Sequence, residues 1–151
     1  MTTPRNETIA AARGASFPAH VGQPQQPNGH AVIVLQEIFG ANAHIRDVAG
    51  RFAAAGFVAL APALYDPVAP GIELTYDEAG TQRGVALRNE LGFDRAVDIV
   101  AAAAERLHAE GSASAGAAVW RSSRTRAWAC RPCRTTARAR CPSSTSRCAH
   151  R

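Results

Sequence analysis

Through the first 110 positions the apolar residues fall in blocks whose spacing changes with the element each one predicts. Ala31-Val32-Ile33-Val34-Leu35 is an unbroken apolar run, the pattern of a strand covered on both faces, and predicts a strand over Ala31 to Gln36. Before it, an extended piece from Ser16 to Val21 leads into a polar turn, Gly22 to Gly29, with three glutamines and two prolines. After it, Asn42 is a good helix cap. Ile45, Val48, Ala49, Phe52 and Ala53 then recur at spacings of three and four, and Gly56 ends the pattern. Phe57 to Ala61, stopped by Pro62, predicts a second short strand. Strand, helix and strand with short joints form a βαβ unit, which calls for a mostly parallel sheet with helices on its faces.

Asp66 to Tyr76 reads as loop, and two helices follow, Asp77 to Leu91 and Phe93 to Ala109. The second carries Ala96, Val97, Val100, Ala103, Ala104 and Leu107 on one stripe. The pattern then fails. Gly111 to Gly116 offers no strand, and residues 121 to 151 contain no Ile, Leu, Val, Met or Phe. Without apolar area to bury, nothing offsets the entropy of ordering such a stretch. The expected organisation is a flexible N-terminus over 1–15, an α/β domain over 16–110 and a disordered tail over 111–151. With no strand after the last helix, the strand at Ala31 to Gln36 would keep one unpaired apolar edge.

Charge sharpens the division. Residues 1 to 110 hold all 12 acidic residues and 8 arginines, whereas residues 111 to 151 hold 9 arginines and no acid. The overall charge of +5 is a sum of opposites. No apolar run approaches the roughly 18 residues of a membrane span. The start, Met1-Thr2-Thr3-Pro4-Arg5, lacks the layout of a signal peptide, so a cytoplasmic setting without membrane contact is expected. All four cysteines (Cys130, Cys133, Cys141 and Cys148) lie in the basic part, so thiol and zinc arguments bypass the first 110 residues.

The segment that carries chemistry is Gln36-Glu37-Ile38-Phe39-Gly40-Ala41-Asn42, with Arg46-Asp47. It places a carboxylate at the carboxyl end of a buried parallel strand, where open α/β sheets hold ligands. On position alone Glu37 equally suits a helix cap or the partner of an arginine. This segment, Gly56-Phe57-Val58-Ala59 leading to Ala61-Pro62-Ala63-Leu64-Tyr65, then Pro70-Gly71 and Asp77-Glu78, resembles the amino-terminal half of dienelactone hydrolases (carboxymethylenebutenolidases) over roughly residues 16 to 110. Ala63 departs from the acidic residue usual there.

The resemblance implies an α/β-hydrolase that cleaves small esters or lactones with a Cys-His-Asp triad and no cofactor. Glu37 would engage the nucleophilic cysteine, and the backbone N–H of Ile38 would form half of the oxyanion hole. Arg83 would bind the substrate carboxylate, although a one-residue slip would make that position Gln82, and a solvated helix arginine fits the position nearly as well. The triad itself is not legible. Ser114 lies two residues before Gly116 but has Ser112 where an elbow needs glycine, no Asp follows Asp98, and His150 has no acid to orient it.

The tail suits a change of reading frame. Read one base early, Thr becomes Tyr, His, Asn or Asp, and Cys or Trp becomes Leu, Met or Val; Thr125 to Ala137 then yields D-Q-G-M-G-V-P-A-V-P-Y-Y-G, similar to a family strand ending in Tyr-Tyr-Gly. Ser114 to Arg121 likewise yields V-G-W-C-G-G-L-A, a near-elbow. The competing readings are an arginine-rich segment on nucleic-acid phosphates and a zinc module. The first needs only charge, so nonspecific binding would come even from a meaningless tail. The second has Cys130-Arg131-Pro132-Cys133 but no paired second C-x-x-C.

Overall fold

The computed structural model of the chain describes residues 3–11, 14–112 and 114–119. Five strands and three helices follow in the order β1 (Thr3–Ala10), β2 (Ser16–Gln23), β3 (His30–Leu35), α1 (Ala43–Ala54), β4 (Val58–Pro62), α2 (Glu78–Leu91), α3 (Phe93–Ala109) and β5 (Ser114–Val119). The strands form one sheet in the order β1-β2-β4-β3-β5. β4, β3 and β5 run parallel, and β1 and β2 add an antiparallel margin.

Alternation along the central strands explains the layers. Val32 and Val34 of β3, with Ala59 and Ala61 of β4, face Ile45, Val48 and Ala49 of α1. Ala31, Ile33 and Leu60 point to the opposite face, where Leu87 of α2 joins Ile99, Ala103 and Leu107 of α3. The unbroken apolar run is therefore buried on both sides, as its sequence requires. α1 begins as its cap predicts, with Asn42 Oδ1 accepting from the Ile45 N–H at 3.2 Å. β2 runs two residues past its predicted end because Gly22 pairs with Ala59 and lies against α1, its missing Cβ replaced by contact with Ala53.

Three expectations are corrected. The stretch assigned to a flexible N-terminus contains β1, which pairs with β2 from Thr3↔Gln23 to Ala10↔Ser16. Its side chains are mostly polar because it is an edge strand, and it is held to α3 by ions instead: Arg5 and Arg106 both pair with Glu7 and Glu110. Each such half-exposed pair contributes modestly, about 0 to 1 kcal/mol. Second, Ser114–Val119 is a strand, in register with β3 from His30↔Ser114 to Leu35↔Val119. Its run of Ser, Ala and Gly has no strand signature, and pairing with β3 overrides that weak propensity. β3 is thus paired on both flanks, and the boundary expected at residue 110 lies too early. Third, the α3 stripe is shifted at one margin: Ala103 and Leu107 are buried and Ala96, Val100 and Ala104 pack against the core as expected, but Ile99 and Ala102 are buried as well, while Val97 is 47% exposed. Four consecutive alanines, Ala101 to Ala104, give too little angular contrast to fix the face. Residues 120–151, which hold the cysteines and most of the tail, lie outside the described residues.

Candidate active site

β3 stops at Leu35, and the chain turns over Glu37 to Gly40, with the Gly40 N–H reaching the Glu37 carbonyl at 3.4 Å. Gly40 has φ +87° and faces the Ile72 carbonyl oxygen so closely that a Cβ would lie 2.5 Å from it. Both facts demand glycine. At this carboxyl end of the sheet is a cavity of about 600 Å³. Gln36, Glu37 and Ile38 form one wall, Leu64 and Tyr65 a second, and the joint between α2 and α3, from Arg88 to Phe93, a third.

Glu37 and Ile38 are therefore brought together on the cavity, both half-buried. The Ile38 N–H meets no hydrogen-bond acceptor among the described residues. Its carbonyl oxygen is pressed against α2 at Gly84, where a Cβ would overlap it. Arg83 is not in this group: it is exposed on α2 and does not line the cavity, while Gln82 bonds Glu78 along the helix at 3.2 Å. The arginine that does line it is Arg88, which donates to Asn89 Oδ1 at 3.2 Å and pairs with no carboxylate among the described residues.

Two neighbours stiffen the wall. Gln36 is 8% exposed, and its Oε1 accepts from the Leu64 N–H at 2.9 Å, tying the end of β3 to the chain beyond β4. Its Nε2 is buried with no partner among the described residues. Tyr65 donates to the Gly84 carbonyl at 3.3 Å; burial raises its pKa, and the nearby Arg88 opposes that rise. Sequence reasoning missed Gln36, Tyr65 and Arg88 as members of the wall. Gly92, with φ +76°, is the one signal that the chain reverses between two helices and folds their joint back toward the sheet. Among the described residues no cluster of His, Cys, Asp or Glu could hold a metal, and no helix is long and apolar enough to cross a membrane. The cysteines of the zinc reading and the arginine-rich tail lie outside the described residues.

A sheet with helices on both faces, and a carboxylate and an unengaged backbone donor at the carboxyl end of a central strand, define an α/β protein of hydrolase type. The chain belongs to the Dienelactone hydrolase family, whose model matches residues 17–117. A Synechocystis sp. protein provisionally named carboxymethylenebutenolidase is 42% identical over 90 residues, 60% of this chain and 35% of the relative. The carboxymethylenebutenolidase of Pseudomonas sp. is 41% identical over 80 residues, 53% of this chain and 33% of the relative. Among solved structures, a Klebsiella pneumoniae protein provisionally named dienelactone hydrolase aligns with TM-score 0.54 and 26% identity, covering 73% of this chain and 46% of that one. The chain thus spans about a third of the length of these curated relatives. The family match runs to residue 117, consistent with β5 and beyond the expected boundary at 110.

Proposed function

We propose that residues 16 to 119 carry the amino-terminal part of an ester- or lactone-hydrolase site. The observation that supports this most is the Ile38 N–H, which meets no acceptor among the described residues and shares its cavity wall with Glu37. A backbone donor fixed in that way suits a developing oxyanion, because it needs no reorganisation when charge appears. In this reading Glu37 engages a nucleophilic thiol, and Arg88 is better placed than Arg83 to meet an anionic group on the substrate. The remaining chemistry would follow the family: a thiolate attacks the carbonyl, an acyl-enzyme forms, and water releases the acid.

We propose further that the chain lacks a triad of that kind, no elbow or later acid being legible in its sequence, and that by itself it is inactive. The residues after β5 read as a change of frame, which the coding DNA from residue 112 to 124 would settle directly. The purified polypeptide is expected to hydrolyse dienelactone and nitrophenyl esters no faster than a buffer control with an inert protein. Turnover that survives purification and disappears in Glu37→Ala would overturn the inactivity. It would also identify Glu37 as a catalytic residue of this chain.

A further inference from the structure

The loop between β4 and α2 crosses the Ile38 to Asn42 segment and is fastened to it at successive points. The Leu74 N–H donates to the Phe39 carbonyl at 2.9 Å. The rings of Phe39 and Tyr76 stack with centroids 4.2 Å apart. Asn42 Nδ2 donates to the Tyr76 hydroxyl at 3.0 Å. Arg46 closes the circuit: one Nη1 donates both to the Ala41 carbonyl at 2.8 Å and to Glu73 at 2.6 Å, and its Nη2 reaches the other Glu73 oxygen at 3.3 Å. On the far side, Gly84 of α2 abuts the Ile38 carbonyl. The peptides that directly follow the Ile38 N–H are held from two directions, while that N–H itself meets no acceptor among the described residues.

We infer that the loop from Ile72 to Tyr76 is a strap that aims the Ile38 N–H, with Arg46, Glu73 and Tyr76 as positioning residues. The inference rests on the reading of Ile38 as an oxyanion donor. None of the three lines the cavity, so each acts through the backbone it holds. An oxyanion donor is useful only when its direction is set before the charge develops. A turn of four residues beyond a strand end could not set it alone.

The strap is sensitive to the state of Glu73. The hydrogen bond from Arg46 holds this carboxyl below its ordinary range, with a further bond from the Ala43 N–H. The charged and titratable groups about it are Arg46 of α1 and, near that same guanidinium, the His20 imidazole of β2, whose pKa is lowered by burial and by Arg46; Asp77, next along the loop, is engaged by Thr75 and Gly80. Because its folded pKa is depressed, the Glu73 contribution is present above the unfolded pKa and lost as pH falls through the folded one.

The test uses the full 151-residue chain, labelled with 15N, as wild type and as Glu73→Gln, Arg46→Lys and Tyr76→Phe. In Glu73→Gln the Leu74 N–H should exchange about two- to fivefold faster, the size expected for losing a half-exposed ion pair. The Ile38 amide peak should move, while the Ile33 N–H in β3 keeps its rate. Arg46→Lys, which retains charge but not the two-pronged contact, should fall between. After correction for intrinsic rates, lowering the pH should loosen Leu74 more in the wild type than in Glu73→Gln, where only Asp77 and its bonds to Thr75 and Gly80 are left to titrate on the loop. Acceleration of Leu74 and Ile33 together, or of neither, would overturn the strap. Should Glu73→Gln not fold, Tyr76→Phe keeps the stacked ring and removes only the hydroxyl. Unmoved Ile38 and Asn42 side-chain peaks there would be equally damaging. Movement of the Ile38 amide peak on adding a small carboxylate such as acetate judges the oxyanion reading, whereas exchange at Leu74 judges the strap whether or not that reading holds.

Discussion

Two of the three walls of the cavity are built differently. The wall at Gln36 to Ile38, with the turn that continues it to Asn42, is fixed by hydrogen bonds, a ring stack and an ion pair from the loop at residues 72–76, and by glycine contacts that tolerate no added atom. The wall at the joint of α2 and α3, from Arg88 to Ala96, has few such ties: Phe93 is 82% exposed, and among the described residues the Arg88 side chain bonds only that of Asn89. The first wall is braced by contacts from the loop that crosses it, whereas the second leaves an aromatic ring in solvent. Stiffness thus resides at the turn that carries the Ile38 N–H, and openness at the joint between α2 and α3.

The most severe way to break that contrast is Gly84→Ala. The new Cβ would overlap the Ile38 carbonyl oxygen, a backbone atom held in turn by the strap, so α2 must move instead. We expect a loss of about 3 kcal/mol, the upper range for overpacking, seen as a lower urea midpoint with unchanged slope. A loss below about 1 kcal/mol would mean that the wall is pliable. Asn42→Ala is a milder blow to the same wall. It removes the cap on the Ile45 N–H and the donor to Tyr76, and should cost about 1 to 2 kcal/mol in urea unfolding. A neutral outcome would show that water replaces both bonds without loss.

The fixed wall is also the part that the sequence made legible. Gln36 to Asn42 stands out because an apolar strand ends on a carboxylate and a helix cap follows within five residues. The α1 face was readable as well, since Ile45, the pair Val48-Ala49 and the pair Phe52-Ala53 recur at spacings of three and four with Arg46-Asp47 and Gly50-Arg51 between them. The open wall was not. Arg83 and Arg88 look alike on an exposed helix, and only the turn at Gly92 decides which one faces the cavity. β1 and β5 escaped because their own residues carry no periodic signal: β1 is defined by its pairing with β2 and by the ion pair of Glu7 with the distant Arg106, and β5 by its pairing with the distant β3. The strap escaped too, because Asp66 to Tyr76 reads as loop and its contacts with residues 39–46 are set by the fold.

The smallest expected effect on stability is the sharpest test of the open wall. Phe93 opens α3, lines the cavity and has most of its ring in solvent, so Phe93→Ser removes little buried area. The urea midpoint should stay within about 0.5 kcal/mol of wild type, as for other surface changes. The ring is nevertheless the largest apolar surface at that edge of the cavity, beside Leu91 and Ala96. An apolar dye such as anilinonaphthalene sulfonate, whose sulfonate can also meet Arg88, should bind the wild-type chain there and lose affinity in Phe93→Ser. Arg88→Gln should weaken the same dye in a salt-dependent way, which Phe93→Ser should not share. If Phe93→Ser destabilises the chain by more than about 1 kcal/mol, the ring is packed in solution and the wall is not open. If stability and dye binding are both unchanged, the wall is open but the dye binds elsewhere, and the contrast between the two walls would rest on the fixed one alone.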